Sequence, residues 1–160
     1  MNIRKQIYVN TTKPKPSLVN PIRNIKDCSK PRGGFWTSPV GEDNLSGYEK
    51  YENGSLIKPN AKAWKIIPKK SCNVKCIINE NDLNQLPKIN YNSFSSITYI
   101  NFEEFFSREY DGLFISKDVA HLKSFSNEYN LAAWDFDSIL WSNLNWIDTI
   151  IPIEETSKRL

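Results

Sequence analysis

Apolar residues in this chain occur in short runs, many with a period of two, and polar or proline-rich stretches separate the runs. Runs of about four to eight residues with this pattern predict β-strands. The predicted strands are 6–10, 33–38, 63–67, 74–78, 97–100, 113–116, 134–141 and 146–151. Asn79, Asn101 and Ser116 each precede a short stretch that suits a helix, and these residue types cap helices well. Short helices are therefore predicted over 79–86, 101–108 and 116–123.

Strands outnumber helices in this pattern, and the helices do not alternate regularly with the strands. This arrangement predicts an α+β fold with a mainly antiparallel sheet. Segments 11–30 and 39–62 are predicted to be loops, since the first is rich in proline and the second lacks hydrophobic periodicity. The length predicts a single domain over 1–160, with a compact core at about 5–151 and a polar tail at 152–160.

Three observations bear on the compartment and on metals. No apolar run reaches the roughly 18 residues that a membrane span needs, and the N-terminus has no secretory pattern, so a cytoplasmic protein is expected. Cys28, Cys72 and Cys76 cannot all pair, which favours a reducing compartment. The spacing of Cys72 and Cys76 is roughly metal-like, but no further Cys or His cluster completes a zinc site, and no metal is expected.

The net charge of +3 conceals an uneven distribution. Residues 1–75 carry 15 basic and 5 acidic side chains, whereas residues 76–160 carry 6 basic and 13 acidic ones. Such a division can mark a face that binds nucleic acid or a phosphate-bearing cofactor. Alternatively, the two parts interleave in space and neutralise each other.

The run Trp-Asp-Phe-Asp-Ser-Ile-Leu-Trp at 134–141 carries the strongest hint of a site. If it is a strand, Asp135 and Asp137 lie on one face, about 7 Å apart. Two carboxylates on so apolar a strand are costly unless they face water, a donor or a ligand. Asp135, Asp137 and the adjoining Ser138 are therefore candidate catalytic residues.

A second distinctive run, Lys-Pro-Arg-Gly-Gly-Phe-Trp-Thr-Ser, occupies 30–38. Two glycines permit a tight turn and a close approach to a ligand, and the flanking cations suit phosphate or carboxylate groups. The tryptophan could stack on a flat ring, and the last serine could hydrogen-bond a ribose. The candidate binding residues are Lys30, Arg32, Gly33, Gly34, Trp36 and Ser38. The alternative is a tight turn entering a strand whose tryptophan belongs to the core.

In combination, the order Lys-Pro-x-Gly-Gly-aromatic-Trp-x-Ser, a tryptophan at position 64, Tyr-Asp-Gly before an apolar strand, and Trp-Asp-x-Asp-Ser resembles a group of small phage and bacterial proteins. Members of that group look like compact versions of the ADP-ribosyltransferase fold. The resemblance covers about 5–150. It implies a split antiparallel sheet that holds NAD+ in a cleft, with 35–38 facing the nicotinamide ribose and 135–138 as the late catalytic element.

The resemblance implies a transferase that moves ADP-ribose from NAD+ to a host protein or nucleic acid. Lys30 and Arg32 would hold the pyrophosphate beside the glycine pair, Trp36 would pack on nicotinamide, and Ser38 would position its ribose. Asp137 would stabilise the developing oxocarbenium-like charge.

A second hypothesis is a non-enzymatic binding protein, encoded by a phage or mobile element, that inhibits a host factor as a toxin or anti-defence protein. The first strand has no histidine, and aspartate occupies the place where this fold usually has glutamate. These departures favour the second hypothesis, whereas the paired carboxylates and the glycine pair favour the enzyme.

Overall fold

The computed structural model describes residue 3 and residues 5–52 and 61–153. Strands dominate this part of the chain, as the sequence predicts. They are β1 (Gln6–Asn10), β2 (Asn20–Arg23), β3 (Arg32–Pro39), β4 (Lys62–Pro68), β5 (Val74–Ile77), β6 (Lys88–Ile89), β7 (Tyr99–Ile100), β8 (Gly112–Ile115), β9 (Ser138–Trp141) and β10 (Ile147–Ile153). A short 3₁₀ turn at Pro16–Leu18 precedes β2.

The helices are short, and each begins at a side-chain cap. They are α1 (Gly47–Tyr51), α2 (Glu80–Leu83), α3 (Phe102–Phe106) and α4 (Lys117–Leu122). Their caps are Ser46, Asn79, Asn101 and Ser116, and each cap accepts a hydrogen bond from a backbone N–H three residues further on. The last three caps are confirmed predictions, although the helices are shorter than expected.

One main sheet has the strand order β10-β4-β1-β3-β9-β8-β5, with β2 added on β3. Its pairs are antiparallel except for β5 with β8, and β6 pairs with β7 separately. The predicted α+β class with a mostly antiparallel sheet is thus confirmed. The join between β1 and β3 is short, with Gln6 opposite Pro39 and Ile7 opposite Ser38. Strand β3 therefore connects two halves of the sheet.

Alternating side chains of the sheet enter two separate cores. A helix-side core contains Ile22, Ile77, Leu83, Leu86, Ile100, Phe102, Phe105, Leu113, Ile115, Val119, Ala120, Tyr129, Leu131, Trp134 and Leu140. An aromatic core on the other face contains Tyr8, Phe35, Trp64, Ile66, Phe114, Ile139, Trp141 and Trp146. In the aromatic core the Trp141 indole N–H donates to Thr37 (2.7 Å), whose hydroxyl donates to Gln6 (2.8 Å).

Two segments that were predicted to be loops contain regular structure. Strand β2 lies within 11–30 even though Pro21 is one of its residues, because it pairs with the start of β3 at the side of the sheet. Helix α1 lies within 39–62. Its capping box, with Ser46 bonded to the Glu49 N–H and Glu49 to the Ser46 N–H, is a sequence signal that the loop prediction missed.

The predicted strand at 134–141 is wrong over its first four residues. Strand β9 begins at Ser138, and the backbone N–H of Trp134 closes a turn on the Leu131 carbonyl (2.9 Å). Burial of the Trp134 side chain in the helix-side core overrides the strand preference of this aromatic segment. At the other end, β10 continues to Ile153, so 152–153 belong to the sheet rather than to the predicted tail; 154–160 lie outside the described residues.

Candidate functional site

The two runs singled out in the sequence lie side by side. Strand β3 pairs with β9, with Trp36 opposite Leu140. Just beyond this pairing, the Ser38 hydroxyl donates a hydrogen bond to the Asp137 carbonyl (2.9 Å). Segments that are about a hundred positions apart in sequence therefore form one continuous region.

Lys30, Trp36, Trp134 and Asp135 converge in this region. The Lys30 ammonium lies 5.4 Å from the centre of the Trp36 ring, and the Trp36 and Trp134 rings meet edge to face at 4.9 Å. Trp134 is held in place because its indole N–H donates to the Ser29 carbonyl (3.2 Å). Partial burial lowers the pKa of Lys30, and the nearby Asp135 charge counteracts part of this shift.

Lys30 and Asp135 of this region, and Arg32 at the start of β3, are available to a ligand. Within the part of the chain that the structure describes, Lys30, Arg32 and Asp135 make no hydrogen bond or ion pair through their side chains. Arg32 and Asp135 are exposed, and Trp36 is half-buried. A cation, an indole face and a carboxylate are thus presented together.

The position and contacts of Asp137 differ from the sequence prediction. It does not share a strand face with Asp135, because neither residue is in β9. Its carboxylate accepts a hydrogen bond from the Lys117 N–H (2.7 Å), the first residue of α4. Its backbone packs against α1, where a Cβ on Gly47 would approach the Asp137 carbonyl to 2.9 Å. Asp137 thus joins α1, α4 and, through Ser38, β3.

The remaining predicted residues also have structural partners. The Ser38 hydroxyl, besides donating to Asp137, accepts from the Tyr48 N–H (2.9 Å). The Ser138 hydroxyl donates to the Phe136 carbonyl (3.1 Å), and this residue is buried. Gly33 and Gly34 allow close approach, but the approach is to β2 and β9 of the same chain.

An aromatic group that the sequence reasoning missed adjoins Asp137. The Tyr48 and Tyr51 rings lie 5.7 Å and 5.5 Å from the Phe136 ring, and Tyr51 is 57% exposed. The capping box at Ser46 could have found it, because a helix from Gly47 places positions 48 and 51 on one face.

The uneven charge distribution is partly neutralised within the fold. Strand β3 of the basic part pairs with β9 of the acidic part, and β4 pairs with β10. Arg23 forms an ion pair with Glu103 (3.1 Å). These pairings favour the alternative in which the two parts interleave.

Replacing Asp137 with alanine should lower the free energy of unfolding by about 1–2 kcal/mol, because the first turn of α4 loses a charged acceptor. The matched change Asp135→Ala should alter it by less than about 0.5 kcal/mol, since that carboxylate is exposed and bonded to no described residue. Urea denaturation of both variants measures the difference. Equal effects would contradict the structural role assigned to Asp137.

Comparison with protein-family models, curated proteins and solved structures found no match for this chain. Two absences hold for the described residues. None of their helices is long and apolar enough to cross a membrane. Nor do three or more His, Cys, Asp or Glu side chains come together there in a way that could hold a metal ion.

Proposed function

We propose that the face formed by Lys30, Arg32, Trp36 and Asp135 binds NAD+, and that the protein transfers ADP-ribose from it to a host protein or nucleic acid. The observation that supports this best is the Lys30 ammonium over the Trp36 ring, a position from which it would turn to the pyrophosphate and leave the ring to nicotinamide. Its charge is near enough to Asp135 for the two to interact. The ADP-ribosyltransferase-like fold implied by the sequence motifs is part of the proposal.

Each group has a chemical role in this proposal. Lys30 and Arg32 pair with the pyrophosphate, and the Trp36 face packs on the nicotinamide ring. When the bond from the ribose to nicotinamide breaks, its electron pair leaves with nicotinamide and positive charge develops on the ribose. Asp135, rather than the hydrogen-bonded Asp137, stabilises that charge. A nucleophile of the acceptor then forms the new bond to the ribose and releases its proton.

The second candidate is a binding protein without catalysis, which inhibits a host factor. A specific observation favours it. Asp137, Ser38 and Ser138, three residues to which the sequence motifs assigned enzymatic roles, are occupied by hydrogen bonds within the fold. In this case the exposed Tyr51 and its neighbour Phe136 would contribute to a protein-binding surface.

Calorimetry with NAD+ tests the first proposal. The wild type should bind, and Lys30→Gln should weaken binding about tenfold or more, because a charged hydrogen bond is worth about 1.5–3 kcal/mol. Lys62→Gln in β4, an exposed lysine of the other half of the sheet, is the matched control and should bind normally. Because the pKa of Lys30 is lowered, this side chain loses its charge at a less alkaline pH than an ordinary lysine does. The affinity for NAD+ should therefore begin to fall at that less alkaline pH.

The variant Asp135→Asn separates the two candidates. If the protein is a transferase, this variant should retain NAD+ and lose transfer of labelled ADP-ribose to lysate proteins or nucleic acid, because the lost charge acts mainly on the transition state. NAD+ binding by the wild type without any transfer would favour the binding protein. Absence of NAD+ binding would contradict the first proposal.

A further inference from the structure

A polar cavity of about 120 Å³ lies between the segment that follows β2 and the loop that joins β6 to β7. Tyr91 and Tyr99 line it, their rings 5.9 Å apart and tilted by 46°. Lys26 and Asp27 line it from the β2 side. Neither the proposed NAD+ face nor the hydrogen bonds described above use these four side chains.

The loop that lines the cavity is braced by its own hydrogen bonds. Asn90 accepts from the Asn92 N–H (2.8 Å), Asn92 from the Phe94 N–H (3.0 Å), and Ser95 from the Ile97 N–H (3.1 Å). In each bond a side-chain oxygen of the loop accepts from a backbone N–H of the same loop and so fixes the loop backbone. The cavity is therefore formed in advance of any ligand.

One polar group in the wall of this space lacks a partner. The Tyr91 hydroxyl oxygen is buried and has no hydrogen-bond partner among the described residues. Asn24 lies nearby, but its amide donates to the Ile100 carbonyl (2.7 Å) and its oxygen accepts from the Glu103 N–H (3.2 Å). A buried hydroxyl that lacks a partner is costly, so a ligand that bonds it gains affinity.

Asp27 lines the cavity together with both tyrosines, and its charge acts on their hydroxyls. Burial raises the pKa of Tyr99, and the Asp27 charge raises it further. Burial also raises the pKa of Tyr91; Asn24 counteracts part of that rise, and Glu103 and Asp27 add to it. Both hydroxyls stay protonated at neutral pH. The wall of the cavity thus contains two protonated tyrosines, one carboxylate acceptor and the Lys26 cation.

We infer that this cavity binds a small ring that carries adjacent hydroxyl groups, as in a hexose or the ribose of a nucleoside. The tilt between the tyrosine rings leaves no parallel slot for a flat base, whereas the carbon face of a puckered sugar packs on a single tyrosine ring. The volume corresponds to about four water molecules, which suits part or all of one such ring. Asp27 accepts from two neighbouring hydroxyls, and the Tyr91 hydroxyl donates to a ligand oxygen.

The experiment uses saturation-transfer NMR on the full chain with four probes at millimolar concentration. The probes are methyl α-mannopyranoside, methyl β-glucopyranoside, adenosine and 2′,3′-dideoxyadenosine. At least one of the first three should bind, and dideoxyadenosine should not bind through this cavity. Binding of the pyranosides alone identifies a hexose site, and binding of adenosine alone identifies a ribose site. No binding by any probe, or equal binding of adenosine and its dideoxy form without pyranoside binding, overturns the inference.

Two variants test whether binding occurs in this cavity. Asp27→Asn keeps a residue type that tolerates the positive φ of 57° at this position and should weaken binding about tenfold or more. Tyr91→Phe should weaken it about threefold to tenfold without lowering Tm, because the removed hydroxyl had no partner. Asp148→Asn, at an exposed aspartate of β10, is the control and should bind normally. Unchanged binding in both cavity variants overturns the inference.

Discussion

Replacing Gly33 with alanine is expected to lower the free energy of unfolding by more than about 3 kcal/mol. Gly33 has a φ of 81°, in the left-handed region where a side chain costs about 1–2 kcal/mol. In addition, a Cβ here would lie 2.2 Å from the Pro21 carbonyl oxygen. Since the obstacle is backbone, β2 would have to separate from β3, and Ile22 would leave the helix-side core. This loss is large relative to the 5–15 kcal/mol that stabilises a typical domain.

Gly41→Ala provides the matched control for Gly33→Ala. Gly41 is exposed, its φ is not in the left-handed region, and the nearest atom to an added Cβ is a carboxylate oxygen of Asp43 (2.9 Å), an exposed side chain rather than backbone. This variant should remain within about 1 kcal/mol of the wild type. Urea denaturation followed by tryptophan fluorescence measures both variants. Similar midpoints for the two would contradict the close β2–β3 packing.

The change Trp141→Phe is expected to cost about 2–4 kcal/mol of stability. Trp141 is completely buried and stacks on Trp146, with 3.6 Å between ring centres. The smaller ring leaves a cavity under Gly112, which lies so close to the Trp141 ring that a Cβ would contact it at 2.8 Å. The change also removes the indole N–H that donates to the Thr37 hydroxyl, so that this hydroxyl keeps only its hydrogen bond to Gln6.

Two further variants divide this cost between packing and hydrogen bonding. Thr37→Val leaves the Trp141 N–H without its acceptor at nearly unchanged volume and should cost about 1–3 kcal/mol. Trp36→Phe repeats the tryptophan substitution at a half-buried position on the other face of β3 and should cost about 1 kcal/mol or less. If Trp141→Phe proved no more destabilising than Trp36→Phe in thermal melts, the importance of the aromatic core would be contradicted.

Local signals in the sequence predicted the helix starts well. A cap depends on residues within three positions, so Asn79, Asn101 and Ser116 could be recognised without any knowledge of the fold. The same reasoning applied to Ser46 and Glu49 would have found α1. Most strands were also predicted, because their alternating side chains enter two cores.

The errors arose where distant contacts decide the structure. Residues 134–137 have strand-like composition, but Trp134 packs on Trp36 and Phe102 instead. The sequence alone indicated Asp135 and Asp137 as equivalent candidate carboxylates. Only the fold shows that Asp137 is bound by the N–H of Lys117, twenty positions away, while Asp135 stays exposed. Tertiary packing decides which of two similar side chains is free, and the amino-acid composition of the segment carries no information about that packing.

The position of β3 between the two halves of the sheet has a consequence for synthesis of the protein. Its pairing with β9, including the bond from Trp141 to Thr37, joins residues 104 positions apart. At about 5–20 residues per second, roughly 5–20 s separate the appearance of these partners from the ribosome. Strand β4 likewise lacks one of its partners until β10 has been synthesised. During that interval the nascent chain exposes β3 and β4 edges and the unpaired aromatic residues of one core, so its yield in a cell should depend on chaperones that shield them.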